Sequence, residues 1–311
     1  MYTYDKRTVD AAGAFLVGEL ERLDKTLNLP LVQVTWNRDI DLREDVTMGD
    51  ETSSFTVTSF SAPGGVNPNG KNWIAKGSTA IAGIQLDTGK FPFPLHLWGM
   101  ELGWSLPELA SAQQTGRPID TQKYDGMQLK YNMDVDAMVY IGDKDVNAHG
   151  LVNNPAIPVG NSTLNWDTAE PEQILDDIND LLSTTKERAG EAVIPDQLRL
   201  TPKKLGRLTK PVSKAASESI LTYISKKTLT YVETGRELNV KSLKWLKGRG
   251  VGGKDRTLAY TKDKKYIRYP LVPMQKTPLE HRGIHQLVVY FCKLGHMEFV
   301  YPETVGYMDG E

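Results

Sequence analysis

A long β-hairpin is the strongest local signal in this chain of 311 residues. Residues 52–61 (TSSFTVTSFS) and 73–86 (WIAKGSTAIAGIQL) carry the β-branched and aromatic residues that favour strands. Between them, residues 62–72 (APGGVNPNGKN) are dominated by Gly, Pro and Asn, which predicts a tip unable to bury a core of its own. Because an isolated two-stranded hairpin is only marginally stable in water, we expect this one to lie against another surface.

The remaining pattern mixes helices and strands. Helical spacing of apolar residues covers 8–27, and Ser105 with Glu108 forms a capping box that begins a second helix. A long helix is predicted from Asp120, and another begins after Thr168. A further helix is predicted at 217–227, and strands are predicted at 197–200, 229–233, 238–245, 257–261, 265–270, 285–293 and 297–305. The sequence therefore predicts an α+β fold with an antiparallel bias.

The formal net charge of −2 conceals an uneven distribution of charge. Residues 199–276 hold 20 Lys and Arg against 5 Asp and Glu, and the rest of the chain is correspondingly acidic. A local acidic run contains Asp39, Asp41, Glu44, Asp45, Asp50 and Glu51. Blocks of opposite sign can attract another copy of the chain or, for the basic block, nucleic acid. An uneven but merely solvated surface is the alternative.

A glycine-rich stretch, Gly248 to Lys254, has the spacing of a phosphate-binding loop. The next residue is Asp255, where such loops carry the Ser or Thr that holds magnesium, and a strand rather than a helix is predicted to follow. The sequence therefore favours a glycine-rich loop at a domain edge over a nucleotide site.

Other catalytic and metal-binding patterns are weak. His281 and His285 have the spacing of a zinc pair, but Gly283 lies between them and a loop or strand is predicted there. Cys292 lies in an apolar run, which favours a buried, inert thiol, and as the single cysteine it indicates a reducing compartment. We predict no enzyme, no cofactor and no metal. No apolar run approaches the ~20 residues of a membrane span, so no membrane partner is expected.

Four segments in fixed order carry a resemblance. They are the N-terminal stretch 13–40, the hairpin, residues 98–116 (WGMELGWSLPELASAQQTG) leading into the long helix and 140–155, and the closing segment 296–310 (HMEFVYPETVGYMDG). Together they resemble the encapsulin-like major capsid proteins of tailed bacteriophages, which have the Hong Kong 97 fold. The resemblance implies an N-terminal arm at 1–48, an extended E-loop at 49–90, a P-domain with a long spine helix at 91–150 and 270–311, and an A-domain at 151–269.

The resemblance also implies a function. We expect the chain to assemble with itself, as pentamers and hexamers, into the icosahedral head shell that encloses double-stranded DNA. Assembly would take place in the host bacterial cytoplasm, and the product would be the virion capsid. Separate scaffolding, portal and decoration proteins are possible partners, and contact with packaged DNA would be non-specific.

Two sets of residues are predicted to form contacts between subunits. The first lies on the hairpin and comprises Phe55, Val57, Phe60 and Trp73. The second is drawn from the acidic run and comprises Asp39, Asp41, Glu44 and Asp45, which would meet the basic A-domain or a basic neighbour. Two alternatives remain open at this point: a nanocompartment shell that encloses a protein cargo, and a basic protein that binds nucleic acid directly.

Overall fold

In a computed structural model of the protein, the described residues are 31–61, 76, 84–115, 119–213 and 218–310, without the side chains of 60–61 and 111–120. The helix predicted at 8–27 and the hairpin tip predicted at 62–72 lie outside the described residues. The helices of the described chain are Trp36–Asp39, Leu106–Thr115, Ile119–Tyr140, Pro171–Arg188, Pro202–Leu208, Ile220–Lys227 and Leu229–Thr234, with short 3₁₀ helices at Lys244–Leu246, Val251–Gly253 and Pro302–Thr304.

The strands of the described residues, in chain order, are β1 (Leu42–Arg43), β2 (Thr52–Ser61), β3 (Gln85–Pro94), β4 (His96–Ser105), β5 (Val159–Asn161), β6 (Gln197–Leu200), β7 (Asn239–Ser242), β8 (Asp255–Tyr260), β9 (Ile267–Lys276), β10 (Glu280–Arg282), β11 (His285–Leu294), β12 (Glu298–Phe299) and β13 (Val305–Gly310). They form three sheets of six, five and two strands.

The six-stranded sheet is built around the antiparallel pair β4 and β11, which are in register from His96 opposite Leu294 to Ser105 opposite His285. The 22-residue helix Ile119–Tyr140, called here the long helix, packs against it. Met127 packs near β4, and Val135 and Val139 enter a larger core that also contains Cys292. Met127, Val135 and Val139 are buried, so one face of this helix packs against the body.

The five-stranded sheet has the order β5-β13-β8-β6-β7. The helix Pro171–Arg188 covers one part of it, with Ile174, Ile178 and Leu182 fully buried against Leu198 and Ala259. Pro171 stands in the first turn, where a missing N–H costs nothing. The two larger sheets share one core, because Leu258 and Tyr260 of β8 lie with Tyr269 of β9 and Val139 of the long helix.

The third sheet is the two-stranded pair β2 and β3, called here the ribbon. The strand predicted at 52–61 is confirmed, but its partner is 85–94 rather than 73–86. Pro92 and Pro94 argue against a strand in the sequence, because proline cannot donate to a ladder. They are tolerated here because, among the described residues, each strand of the ribbon pairs with one other strand and leaves its second edge free.

Two further segments differ from their predicted structure. Residues 229–233 form the helix Leu229–Thr234 rather than a strand. Their β-branched residues favour a strand, but Gly235 ends a helix in the left-handed conformation (φ 69°), and Asn179 Oδ1 accepts the Leu229 N–H at 3.0 Å. The strand predicted at 297–305 is broken into β12, a 3₁₀ turn and β13.

A buried ionic network joins the segment before β1 to the body. Asp39 is fully buried, and its carboxylate accepts hydrogen bonds from Arg199 Nε at 2.9 Å, Tyr140 Oη at 2.6 Å and both Arg38 donors. Asp136 of the long helix accepts the Trp36 backbone N–H and is also fully buried. The network therefore ties the two larger sheets and the long helix to a single short segment of chain.

Asp39 allows a direct test of this network. Burial alone would raise the pKa of Asp39, but the guanidinium groups of Arg38 and Arg199 and the Tyr140 hydroxyl outweigh it and lower the pKa. Stability gained from this ionised carboxylate is therefore present above the usual carboxyl pKa and lost as the pH falls below it. We expect Asp39→Asn to cost about 3–5 kcal/mol in the free energy of unfolding, because it leaves Arg199 buried without its charge partner.

The measurement is urea unfolding of the unassembled chain at neutral pH. The control is Asp45→Asn, which removes an exposed carboxylate paired with Arg43 and should change the free energy by at most about 1 kcal/mol. Equal losses in the two variants would contradict the importance of the network.

Candidate assembly surface

The ribbon leaves the body as two strands with ten paired positions, from Thr52 opposite Pro94 to Ser61 opposite Gln85. At ~3.3 Å per residue, ten residues span roughly 30 Å. Every side chain of β3 except Phe93 is exposed. Among the described residues, therefore, no layer of the same chain covers β3.

Apolar side chains concentrate along β3 and just before it. Leu86 is 68% exposed, Ile84 is 63% exposed and Phe91 is 49% exposed. Leu86 and Phe91 are five positions apart on β3. Because successive side chains of a strand point to alternate faces, these two lie on opposite faces of the ribbon. Exposed apolar surface on a narrow projecting element indicates a contact site for another molecule.

At its root the ribbon turns aromatic rings toward the body. Phe55 stacks on Phe91 and Phe93, with ring centroids 5.6 and 5.9 Å apart. These rings and Val57 line an open groove of about 400 Å³, whose far wall includes Met297 and Phe299. Val57 also borders a second groove of about 640 Å³ beside Arg188 and Tyr301. Phe55 and Val57 are thus half-buried, while the Phe60 side chain and Trp73 lie outside the described residues.

Buried charge fixes the β2 end of the ribbon. Glu298 is fully buried and accepts hydrogen bonds from Arg43, Arg268 and the Ser53 hydroxyl. Arg43 also donates to the Ser54 carbonyl oxygen at 2.9 Å. This carboxylate joins β1, β2, β9 and β12 at one point, so the direction in which β2 leaves the body is set by several hydrogen bonds.

The acidic residues predicted to face neighbours divide into two groups. For Asp39 the prediction is wrong, because its carboxylate is fully buried and bound by groups of its own chain. Asp41 Oδ1 lies 3.6 Å from Lys262 Nζ, and Asp45 Oδ1 lies 2.6 Å from Arg43 Nε, so both carboxylates have partners within the chain. Asp41 is partly exposed and Asp45 is exposed. Glu44 is exposed and forms no ion pair among the described residues.

Six of the 20 basic residues of 199–276 form ion pairs within the described chain. Arg199 pairs with Asp39, Arg256 with Asp309 and Arg268 with Glu298, and in each pair the acidic partner lies outside 199–276. Lys244 and Lys262 likewise meet Asp136 and Asp41. The charge asymmetry of the sequence is therefore partly cancelled inside the fold, which weakens the argument for a dedicated nucleic-acid surface.

The glycine-rich stretch uses its amides internally. The Gly248 N–H donates to Asp255 Oδ1 at 3.0 Å, and the Val251 N–H donates to Asp309 Oδ2 at 2.8 Å. Only a 3₁₀ turn and then β8 follow, so no α-helix N-terminus faces this loop. The amides that would hold a phosphate are already bonded to carboxylates of the chain.

The residues considered for metal binding and nucleophilic chemistry are also placed. His281 and His285 lie on the adjacent strands β10 and β11 rather than on one helix. Among the described residues, no three metal-ligating side chains come together. Burial raises the pKa of the Cys292 thiol to about 12, in keeping with an inert side chain. Across the described parts of the chain, no helix has the length and apolar character needed to cross a bilayer.

A family model described as the major capsid protein matches residues 70–310 of the chain. The chain belongs to this family. The match includes β3, both larger sheets and the long helix. None of the curated proteins matches the sequence.

Solved structures show the same fold at low sequence identity. The capsid of Myoviridae phage XM1 has a TM-score of 0.75 and 15% identity, covering 94% of this chain and 98% of that one. The capsid of a native GTA particle has a TM-score of 0.64 and 11% identity, covering 97% and 98%. The virus-like particle of Pyrococcus furiosus has a TM-score of 0.53 and 12% identity, covering 88% and 91%.

These findings confirm the resemblance seen in the sequence. The protein is a major capsid protein of the tailed-phage type, its α+β fold is that of phage capsids, and its function is to form the head shell of the virion. The boundaries of the arm, E-loop, P-domain and A-domain remain predictions. The strands of the ribbon lie within or next to the predicted E-loop, and β3 continues to Pro94 rather than ending at 90.

Several residues of the assembly surface were not predicted from the sequence. Phe91 and Phe93 alternate along β3, a period of two that indicates a strand, but Pro92 and Pro94 obscured it. No local sequence pattern predicts the contact between Glu298 and Arg43, because 255 residues separate them along the chain.

Leu86 offers a test of the ribbon as an assembly surface. We expect Leu86→Asp to raise the concentration needed for shell formation by roughly tenfold or more, because burying a leucine side chain contributes about 1.5–3 kcal/mol at each contact. The matched control is Thr88→Asp, two positions along β3 on the same face and also exposed. Assembly is followed by light scattering, and unfolding in urea should be unchanged in both variants. A Leu86→Asp chain that assembles like Thr88→Asp would contradict this role.

Proposed function

We propose that copies of this chain associate as pentamers and hexamers into a closed icosahedral shell around double-stranded DNA. The observation that carries this proposal is the ribbon, which projects from a well-packed body and exposes apolar side chains on both faces. A chain built in this way gains stability when another copy covers the ribbon. A GTA capsid with the same fold is described with five-fold symmetry, which supports ring-shaped units.

Closure follows from the kind of contact that a ribbon makes. The ribbon of one copy meets a different surface on the next copy, so the contact is heterologous and repeats around a ring. Obligate interfaces bury ~2,000 Å² or more, and a ribbon of roughly 30 Å with two open faces supplies a substantial part of this area. The grooves beside Val57 leave room for the ribbon to adjust its contacts between five-fold and six-fold rings.

We further infer a structural role without catalysis, with assembly in the host bacterial cytoplasm. DNA would be held non-specifically, since six basic residues of 199–276 are paired inside the described chain and the block matches no reader motif. Scaffolding, portal and decoration proteins are expected to be separate chains. A nanocompartment shell that encloses a protein cargo is the alternative, and the content of isolated particles distinguishes the two.

Electron microscopy of the purified recombinant chain tests the proposal. We expect closed shells in negative stain, and particles isolated from infected cells should contain DNA and no enzyme cargo. Deleting 62–72, the predicted ribbon tip, should reduce shell yield while the far-ultraviolet circular dichroism of the chain stays unchanged. Normal shells from the deleted chain would show that assembly does not need residues 62–72. A protein cargo in place of DNA would favour the nanocompartment.

Ionic strength tests the predicted charge contact between copies. Glu44, the partly exposed Asp41 and the exposed Asp45 should attract a basic neighbour, so added salt should slow assembly. Because Asp41 and Asp45 already have partners within the chain, we expect the effect to be small and to fall further in Glu44→Gln. The measurement is the initial rate of light scattering against salt concentration. A rate that does not depend on salt would exclude this contact.

A further inference from the structure

Two histidines meet where β3 of the ribbon joins the body. His96 is the first residue of β4, and only Leu95 separates it from the end of β3. His96 Nε2 and His296 Nε2 are 2.9 Å apart, and the two rings stack with centroids 5.1 Å apart. The Phe93 ring lies 5.9 Å from the His296 ring. The pair therefore lies where the chain passes from the ribbon into the six-stranded sheet.

The surroundings make this joint tight. His296 is 6% exposed and Leu95 is 8% exposed. A Cβ placed on Gly295 would lie 2.4 Å from Pro270 Cγ and 3.0 Å from Leu95 Cδ2. The Gly295 backbone is therefore in close contact with these two side chains. The rings have little room to separate without moving Leu95 and, with it, β3.

The hydrogen bond sets a limit on how many protons the pair can hold. One ring must donate through Nε2 and the other must accept through Nε2. One added proton, on a free Nδ1, leaves this bond intact. A second added proton places a hydrogen on both Nε2 atoms, which removes the acceptor and brings two positive charges together.

Ionisable groups border the pair on both sides. His149 and Glu303 border the groove beside His296, and Asp134 and Asp143 border the cavity beside His96. Asp134 already accepts hydrogen bonds from Trp98 and Lys130. Asp143 accepts the Asp145 N–H, and Glu298 is bound by Arg43 and Arg268.

The two strands of the ribbon are thus held by different chemistry. β2 is held by the buried Glu298 carboxylate and its two arginines, which keep their charges at mildly acidic pH. β3 continues through the buried Leu95 into β4, the Leu95 N–H donates to the Glu51 carbonyl oxygen at 2.9 Å, and the histidine pair braces this joint. The charge of histidine changes between about pH 5 and 8. We propose that the His96–His296 pair is an acid-sensitive latch that loosens the β3 root while the β2 root keeps its ionic cluster, so that the ribbon changes its angle to the body without detaching.

The direction of the pH effect follows from burial. Burial, with the nearby His96 and His149, lowers the pKa of His296, so the folded chain favours the neutral ring. The unfolded or opened chain binds more protons there, and the latch therefore weakens as the pH falls below the ordinary histidine pKa.

Hydrogen exchange of the full unassembled chain tests the latch. Between about pH 7.5 and about pH 5, peptides covering the joint at 93–98 should exchange severalfold faster after correction for intrinsic rates, because protonation of both rings weakens the joint. Peptides covering 40–53 should keep their protection, because the Glu298 cluster holds them. His96→Gln cannot take up the proton and should lose the pH response, whereas the control His149→Gln should keep it.

Either of two results would overturn the latch: no acid response in the wild-type chain, or an undiminished response in His96→Gln. If His96→Gln disturbs the two larger sheets, nuclear magnetic resonance titration of the five wild-type histidines decides instead. Two rings should then titrate in separate, coupled steps. The latch lies within one chain, so this experiment is independent of whether shells form.

Discussion

A ladder of two strands with both faces open cannot stabilise itself, and this constraint governs the rest of the molecule. The ribbon has ten paired positions, yet almost no side chain of β3 is buried by its own chain. The body is the opposite, with cores in which residues such as Val139, Ile174 and Leu198 are completely buried. Stability is therefore unevenly distributed, and the exposed part is the part that another copy can cover.

Buried charge gives this uneven structure a defined geometry. Asp39, Asp136 and Glu298 are fully buried, and each is bound by groups from distant parts of the chain. Such groups are costly to bury and depend on correct hydrogen-bond geometry, so they fix position more than they add stability. Their effect is to set where the chain enters the body before β1 and where the ribbon leaves it.

Local signals in the sequence were reliable wherever a segment determines its own structure. The Ser105–Glu108 capping box is present, with the Glu108 N–H donating to Ser105 Oγ at 3.2 Å, and the long helix and the helix beginning at Pro171 form as predicted. Predictions were wrong where distant contacts decide. Residues 229–233 became a helix because Asn179 and Gly235 cap its two ends.

The candidate surface was only partly visible in the sequence for the same reason. The strand at 52–61 could be predicted, but the identity of its partner depended on pairing that prolines concealed. In the sequence, Asp39 is one of several neighbouring acidic residues, and only the fold shows that its carboxylate pairs with Arg199 in the interior. Family membership was accessible because it rests on the order of whole segments rather than on any single contact.

The central claim is that the ribbon is completed by neighbouring copies, and limited proteolysis of the chain before and after assembly tests it most directly. In the unassembled chain, cleavage should occur within 52–61 or 85–94 while the body remains intact. In assembled shells the same sites should be protected. Equal protection of the ribbon in both states would mean that the single chain already covers it, and the account would be wrong.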